Sequence, residues 1–415
     1  MTRPFRLHSV LGSSSSSAPA RLMLDVDECV QMTHFLRALV QTPSLSTAEG
    51  AVAELIRHEL RAVGIQDVRT DRAGSVMALL GNGDGPTLLL DAHMDTVAPT
   101  GAAWPYGPYT ATVKDGFLYG LGACDMKASI AAMVYAAKRL IEAHVELHGR
   151  LVLAFVVQEE PCEGCALKIL LEEQNIQPDW VVLAEPSDMT IKRGHRGRVL
   201  FKVTVRGRSS HASRPDLGQN AITAAARLIF GIDLLSGGLA SDPFLGPGTI
   251  AVTHIESRAA SANAIPDLCT FYVDRRLTLG ETATRAQTQI ETVIEREGID
   301  ATVEVVEYKS ETYAGYPLQV RESFNPWALD PDHPLVAALS RAAQTVIGQP
   351  PAIGQWAFST DGVFSMAEAG IPTVGFGPGN PDHAHTVDER VCLDDVTRAA
   401  HIYALLASNL LAKPA

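Results

Sequence analysis

The sequence predicts an α/β fold with a mostly parallel sheet, into which a second, ferredoxin-like βαββαβ domain is inserted. Three observations predict it. Near-continuous apolar runs alternate with helical patterns from about Leu22 onward, as expected of strands covered by helices on both faces. Between about Gly197 and Ser310 the texture changes: Val199, Phe201, Val203 and Val205 alternate with polar or basic neighbours such as Lys202 and Thr204, the pattern of a half-exposed strand. And 415 residues are too many for one ordinary core.

Taken in chain order, strands of the main domain are expected at 87–90, 151–157, 180–184 and 372–376, where LLL, LVLAFVV, WVVLA and PTVGF stand as short apolar runs. Helices are expected at 129–143, 166–173 and 395–411. The inserted unit opens with the strand around 199–205 and a helix at 220–235. Strands at 249–256 and 269–277, a helix at 282–297 and a last strand at 301–307 complete the βαββαβ order, which makes a compact domain by itself. The expected division is therefore a disordered tail over 1–20, a main domain over 21–196 and 311–415, and an insertion over 197–310.

Composition narrows the partners. A formal net charge of -13 disfavours a sequence-independent nucleic-acid surface, which needs a basic field, and docking on anionic membranes. No apolar run approaches the roughly 20 residues that span a bilayer. The first 20 residues lack the apolar core of a secretory signal, and their serine run reads as a disordered tail. Arg3 and Arg6 also admit a transit peptide. The six cysteines form no disulfide framework, and a cytoplasmic location is expected.

Five segments carry the chemistry, four of them directly after expected strands. They are Asp91-Ala92-His93-Met94-Asp95, then Gly120 to Lys127 around Asp125, then Gln158-Glu159-Glu160, Ala184-Glu185-Pro186, and Gly377-Pro378-Gly379 leading to His383-Ala384-His385. In open α/β sheets functional groups collect beyond the carboxyl ends of the strands, so these segments are expected to converge. Imidazoles with several carboxylates suit zinc, with cobalt or manganese as replacements. Each residue also has a plain reading: a strand-end histidine is usually a surface group, and Glu159-Glu160 alone is a solvated turn. Co-occurrence of all five favours the metal.

Other motifs are weaker. Gly120-x-Gly122-x-x-Asp125 has the start of a dinucleotide fingerprint without its third glycine. Cys162-x-x-Cys165 lacks the second pair or the setting that a zinc or redox site needs. Trp104, Tyr106 and Tyr109 fit either the cleft mouth or loop packing.

The segments LLLDAHMDTV, YGLGACDMKASIAAM, VVQEEPCEG, LAEPS and GFGPGNPDHAHTVDE resemble the metallopeptidase and deacylase family of acetylornithine deacetylase, succinyl-diaminopimelate desuccinylase, aminoacylase and glutamate carboxypeptidase. The likeness runs from about Leu22 to the C-terminus. RGHRGRVLFKVTVRGRSSHAS and DRRLTLGET look closest to a branch described as selenium-metabolism-linked hydrolases. The resemblance implies a zinc-peptidase-like catalytic domain with a lid and dimerisation insert, and hydrolysis of an amide or peptide bond in a small molecule. That substrate would be an N-acyl amino acid or short peptide with a free carboxylate; dipeptidase, aminopeptidase and N-carbamoyl hydrolase activities, or an inactive scaffold, are the alternatives.

Residue by residue, the resemblance implies two zinc ions: His93 and Glu185 on one, Glu160 and His385 on the other, Asp125 bridging. His383 is the fallback for His385. Asp95 would orient His93 and Glu159 would act as general base and acid. His211 would steady the oxyanion, often from the other subunit of a homodimer. Asn263 and Arg276 would hold the substrate carboxylate, Arg275 pointing to the opposite strand face, and Gly379 would let the chain pass close to substrate. Ala128-Ser129 stand where the family usually has a glycine pair.

Overall fold

The structure, a computed structural model, describes residues 18–81 and 83–412. Among the described residues the larger sheet has nine strands. At its centre Arg150–Val156, Thr87–His93, Trp180–Leu183 and Thr373–Gly375 lie side by side and parallel. On one side Val76–Leu80 runs antiparallel to Arg150–Val156, and Asp67–Thr70 is in turn antiparallel to Val76–Leu80. On the other side Ile191–His195 is antiparallel to Thr373–Gly375 and carries Trp327–Ala328 and Ile353–Trp356. Every residue of Thr87–His93 is buried, which is why Leu88 to Leu90 form an unbroken apolar run and polar groups gather at its carboxyl end.

Helices Val26–Gln41, Ala128–Glu142, Leu393–Leu411 and Pro334–Ile347 pack side by side in a row, the last three against the sheet. Ala128–Glu142 is buried almost all round, and its alanines let neighbouring helices come close. Asp25 caps Val26–Gln41 in a reciprocal bond with Glu28.

The second sheet orders Thr249–Arg258, Leu268–Leu277, Gly197–Arg206 and Ala301–Val305, each antiparallel to its neighbour. This is the ferredoxin-like plan. Its helices start one residue after their expected positions because Asn220 and Thr282 are N-caps, their side chains accepting from Ile222 N and Thr223 N and from Arg285 N. Val199, Phe201, Val203 and Val205 face these helices in a core of their own, with Leu228, Ile232, Ile290 and Val293. Arg198, Asp274 and Arg276 therefore fall on the opposite face.

Three expectations need correction. The chain does not leave the small sheet at 310: Glu307–Glu311 forms a hairpin with Pro317–Arg321, and Ser323–Phe324 pairs again with Gly197–Arg206. The hairpin is tied to the main domain by Tyr308, whose hydroxyl donates to Gln158 Oε1, and Tyr313, which donates to Gly74 O, both at 2.7 Å. The expected tail over 1–20 overlaps a short helix, Ala18–Arg21; its remainder lies outside the described residues. And Ala221–Gly238 does reach a mean hydropathy of 1.3 over 18 residues, enough by length and composition to cross a bilayer. In the fold it is a capped helix running into the 3₁₀ turn Leu234–Gly238, with one face packed on the small sheet.

Candidate metal centre

The parallel central strands all end at one edge of the sheet, and their following residues meet there. His93 is the last residue of its strand. Glu159 and Glu160 follow Arg150–Val156, and Glu185 follows Trp180–Leu183. The turn Ala123–Lys127, ahead of the buried helix, brings in Asp125, and the loop after Thr373–Gly375 brings in His385.

Asp125 divides its carboxylate between the two histidines. Its Oδ1 lies 3.1 Å from His93 Nε2 and its Oδ2 lies 3.3 Å from His385 Nε2. Beyond His93 stands Glu185 at 3.9 Å, and beyond His385 stands Glu160 at 3.0 Å. Ligand atoms of His93, Asp125 and Glu160 lie within 4.8 Å of one another, as do those of His93, Glu159 and Glu185. His383 is not part of this group; its Nε2 faces Arg390 at 3.1 Å.

The electrostatics suit a divalent cation. Burial pushes Glu159 and Glu185 well above the usual carboxylate range, and neighbouring carboxylates add to it. Hydrogen bonds with Asp125 and Glu160 push His385 up to about 10. Burial opposes the charged form of His93, yet its bonds to Asp125 and Asp95 raise it well above the ordinary value. Asp125 is held low against its burial by the two imidazoles. Crowded carboxylates create a negative field that favours positive charge, and two imidazoles with four carboxylates are a donor set for zinc-like ions.

Asp95 stands beside the His93 ring with both its carbonyl and its carboxylate. His93 Nδ1 meets the Asp95 carbonyl oxygen at 2.9 Å, while the carboxylate is 3.5 Å away. The carboxylate instead accepts from Glu159 N, Glu160 N and Ser46 Oγ. It fixes the glutamate turn, and the backbone carbonyl fixes the ring. Ser129 Oγ donates to Ala184 O, so the substitution of the glycine pair ties the helix behind Asp125 to the strand end before Glu185.

These groups line a cavity of about 280 Å³ that also reaches Arg198 and Arg276 on the small domain. Arg276 borders it, whereas Arg275 is buried on the other face in an ion pair with Glu281. His211 and Asn263 do not border it. Both are exposed, and they neighbour each other: His211 bridges Ala264, and Ala212 N donates to Asn263 O at 2.8 Å. Gly379 is also absent from the lining. Its φ is +91°, and a Cβ there would stand 2.7 Å from Cys124 Sγ, so within the chain the close approach it permits is to the Asp125 turn. Tyr106 packs against Tyr119 with the rings tilted by 52° and does not border the cavity, and Cys162 and Cys165 are free thiols.

Sequence reasoning missed several supporting groups. Buried Glu389 accepts from Cys124 N and Asp125 N at 2.9 and 3.1 Å, and burial lifts it to about 8. Glu49 accepts from Gln158 N at 3.1 Å. Glu163 and Ser359 border the cavity with Arg198. Arg198 and Glu163 both lay inside quoted motifs, and the strand alternation alone puts Arg198 on the face away from the small core.

An acid–imidazole cluster at the strand ends, buried at His93, Glu159 and Glu185 and open to the cavity at His385, defines a metal-dependent hydrolase. Residues 89–409 match the model of Peptidase family M20/M25/M40, and the chain belongs to that family. It is 35% identical over 402 residues to the uncharacterized protein YgeY of Escherichia coli strain K12, covering 96% of this chain and 99% of that one. It is 30% identical over 385 residues to succinyl-diaminopimelate desuccinylase of Nitrosomonas europaea, covering 90% and 97%. A tripeptidase structure from Staphylococcus aureus superposes with a TM-score of 0.74 at 21% identity, covering 94% and 99%, a likeness of fold.

Proposed function

We propose that the protein hydrolyses an amide or peptide bond in a small substrate with a free carboxylate, an N-acyl amino acid or short peptide, using two divalent ions, zinc first. The observation that carries this reading is the split of Asp125 between His93 and His385, each with its own glutamate beyond. His93 and Glu185 would hold one ion, His385 and Glu160 the other, with Asp125 between. Such ions, when bound, supply Lewis acidity, polarising a carbonyl and easing the ionisation of water.

The chain's own groups do the rest. Glu159 is buried beside the cluster, and its Oε1 has no hydrogen-bond partner among the described residues. It is free to take a proton from water and pass it to the leaving amine. Asp95 holds the Glu159 backbone in place, and Arg276 offers a guanidinium to the substrate carboxylate. His211 and Asn263 would enter from a second subunit, a reading supported by the exposed Phe230 and Leu234 of the small domain, 73% and 75% accessible. A cytoplasmic setting accords with six free thiols. The desuccinylase relative favours deacylation over peptidase action.

The test is a hydrolysis screen of protein loaded with zinc, cobalt or manganese, against N-acetyl, N-succinyl and N-carbamoyl amino acids and dipeptides. Turnover that chelation abolishes supports the reading and its substrate class decides among the activities. Metal uptake with no turnover across the panel would leave a binding scaffold.

A further inference from the structure

The turn that carries Glu159 and Glu160 runs on into a pair of thiols for which the proposed reaction has no use. Cys162 is fully buried and Cys165 half-buried, and both are free. Cys165 N donates to Cys162 O at 3.2 Å, which closes a turn. The Cα atoms at the two ends of such a turn lie within about 7 Å of each other, and a disulfide needs about 4.4–6.8 Å. The S–H of Cys162 is shared between Gln158 O, 3.1 Å from its sulfur, and the sulfur of Cys165. The motif has no second cysteine pair, but the fold supplies another setting. Cys165 is the first residue of the ten-residue helix Cys165–Gln174, whose N-cap, Gly164, offers no side chain to the first N–H groups; a helix N-terminus favours a thiolate. The bond from Cys162, aided by the Lys168 ammonium, holds the Cys165 thiol below its ordinary value against burial and the acids Asp361 and Glu368.

The same thiols brace the glutamate turn. Cys162 N donates to Glu159 O at 3.0 Å. Gln158, just before the two glutamates, has a left-handed φ of +50°, which a residue with a side chain keeps only where its surroundings hold it. One hold is the Cys162 S–H on Gln158 O. The others are Gln158 N on Glu49 Oε1 at 3.1 Å and the Tyr308 hydroxyl on Gln158 Oε1. A disulfide has no S–H. Joining Cys162 to Cys165 therefore takes the donor from Gln158 O and draws the end of the turn toward the helix. A shift of about 1 Å at a catalytic group is worth on the order of 10²-fold in rate.

We propose that Cys162 and Cys165 form a reversible disulfide, a redox site that displaces the Glu159–Glu160 turn from the metal cluster and slows turnover when it closes. The oxidant is a small-molecule disulfide of the oxidised glutathione type. The Cys165 thiolate attacks one of its sulfurs, and that S–S bond breaks with one thiolate leaving. Cys162 then attacks the Cys165 sulfur of the mixed disulfide and expels the second thiolate. Two cysteine thiols are oxidised, one disulfide is reduced to two thiols, and the two protons pass from the cysteines to them. The site is independent of the hydrolase reading; its effect on turnover rests on it.

The full-length, metal-loaded protein, equilibrated with excess oxidised glutathione, is alkylated and digested with trypsin. Both thiols fall on one tryptic peptide, residues 151–168, which carries no other cysteine. That peptide is expected to be unalkylated and lighter by two hydrogens, and dithiothreitol should restore both thiols. Hydrolysis of acyl amino acids or dipeptides should fall at least about tenfold as the disulfide closes and recover on reduction. Cys165→Ser should match the reduced protein and ignore the oxidant, and Cys162→Ala should stop at a glutathione adduct on Cys165. Thiols that stay alkylatable overturn the site. A disulfide that leaves turnover unchanged, or an equal loss in Cys165→Ser, overturns its coupling to the glutamate turn. No turnover in either redox state would fell the hydrolase reading, while the peptide map still decides the site.

Discussion

The carboxyl edge of the large sheet and the cavity face of the small one were both marked by charged residues in the sequence, yet they behave differently. On the large sheet, five segments from positions 93 to 385 meet around Asp125. On the small sheet, of three residues expected at the substrate, only Arg276 borders the cavity, while His211 and Asn263 face solvent. Parallel strands force convergence, because every carboxyl end lies on one edge. An inserted domain carries no such rule: where its loops point depends on how it sits, and on what else docks against it.

The contrast is sharpest where an experiment can break it. Asp125→Ala should have the largest effect. Removing the shared carboxylate should drop metal content from about two ions per chain and take activity below detection; metal analysis showing full occupancy would undo the bridging role. Glu159→Gln should retain the metal yet lose activity by on the order of 10³-fold. If it loses metal instead, Glu159 is a ligand, as its position within 4.8 Å of His93 and Glu185 allows.

On the small-domain side the effects should be smaller and of another kind. Arg276→Ala is expected to lower kcat/KM by about 2 kcal/mol or more, on the order of 30-fold, mostly in KM and only for substrates with a carboxylate. The adjacent Arg275 sets the control. Its buried partner Glu281, 5% exposed, changed to alanine should cost about 3–5 kcal/mol of stability, read in a denaturant titration, with the remaining folded protein still turning over substrate. If the two neighbours swapped phenotypes, the strand register would be wrong.

The mildest prediction concerns pH. His401, on the long C-terminal helix, accepts from Leu24 N at 2.8 Å. Burial holds its pKa down to about 4 from an ordinary 6.5. The unfolded chain therefore binds more protons between these values, so its contribution is complete above pH 6.5 and is lost as pH falls through 4. The melting temperature should decline over that window, and His401→Gln should flatten the upper part of the decline. Buried His195, held down to about 3 by burial, leaves a lower limb in place.

The alternating and continuous apolar runs determined the layer architecture, the ferredoxin-like insert and the strand ends where His93, Glu159, Glu160 and Glu185 stand, because burial on one face or two leaves a period that linear reading detects. The family motifs singled out Asp125 and preferred His385 over His383. What the chain order could not carry was through-space pairing. Which oxygen of Asp125 meets which imidazole, that the Asp95 carbonyl lies closer to the His93 ring than its carboxylate, that Gly379 packs against Cys124, and that Glu163 borders the same cavity with one oxygen unclaimed were decided only by tertiary structure. Those facts depend on angstrom-scale contacts between segments far apart in sequence, and hydrophobic periodicity holds no record of them.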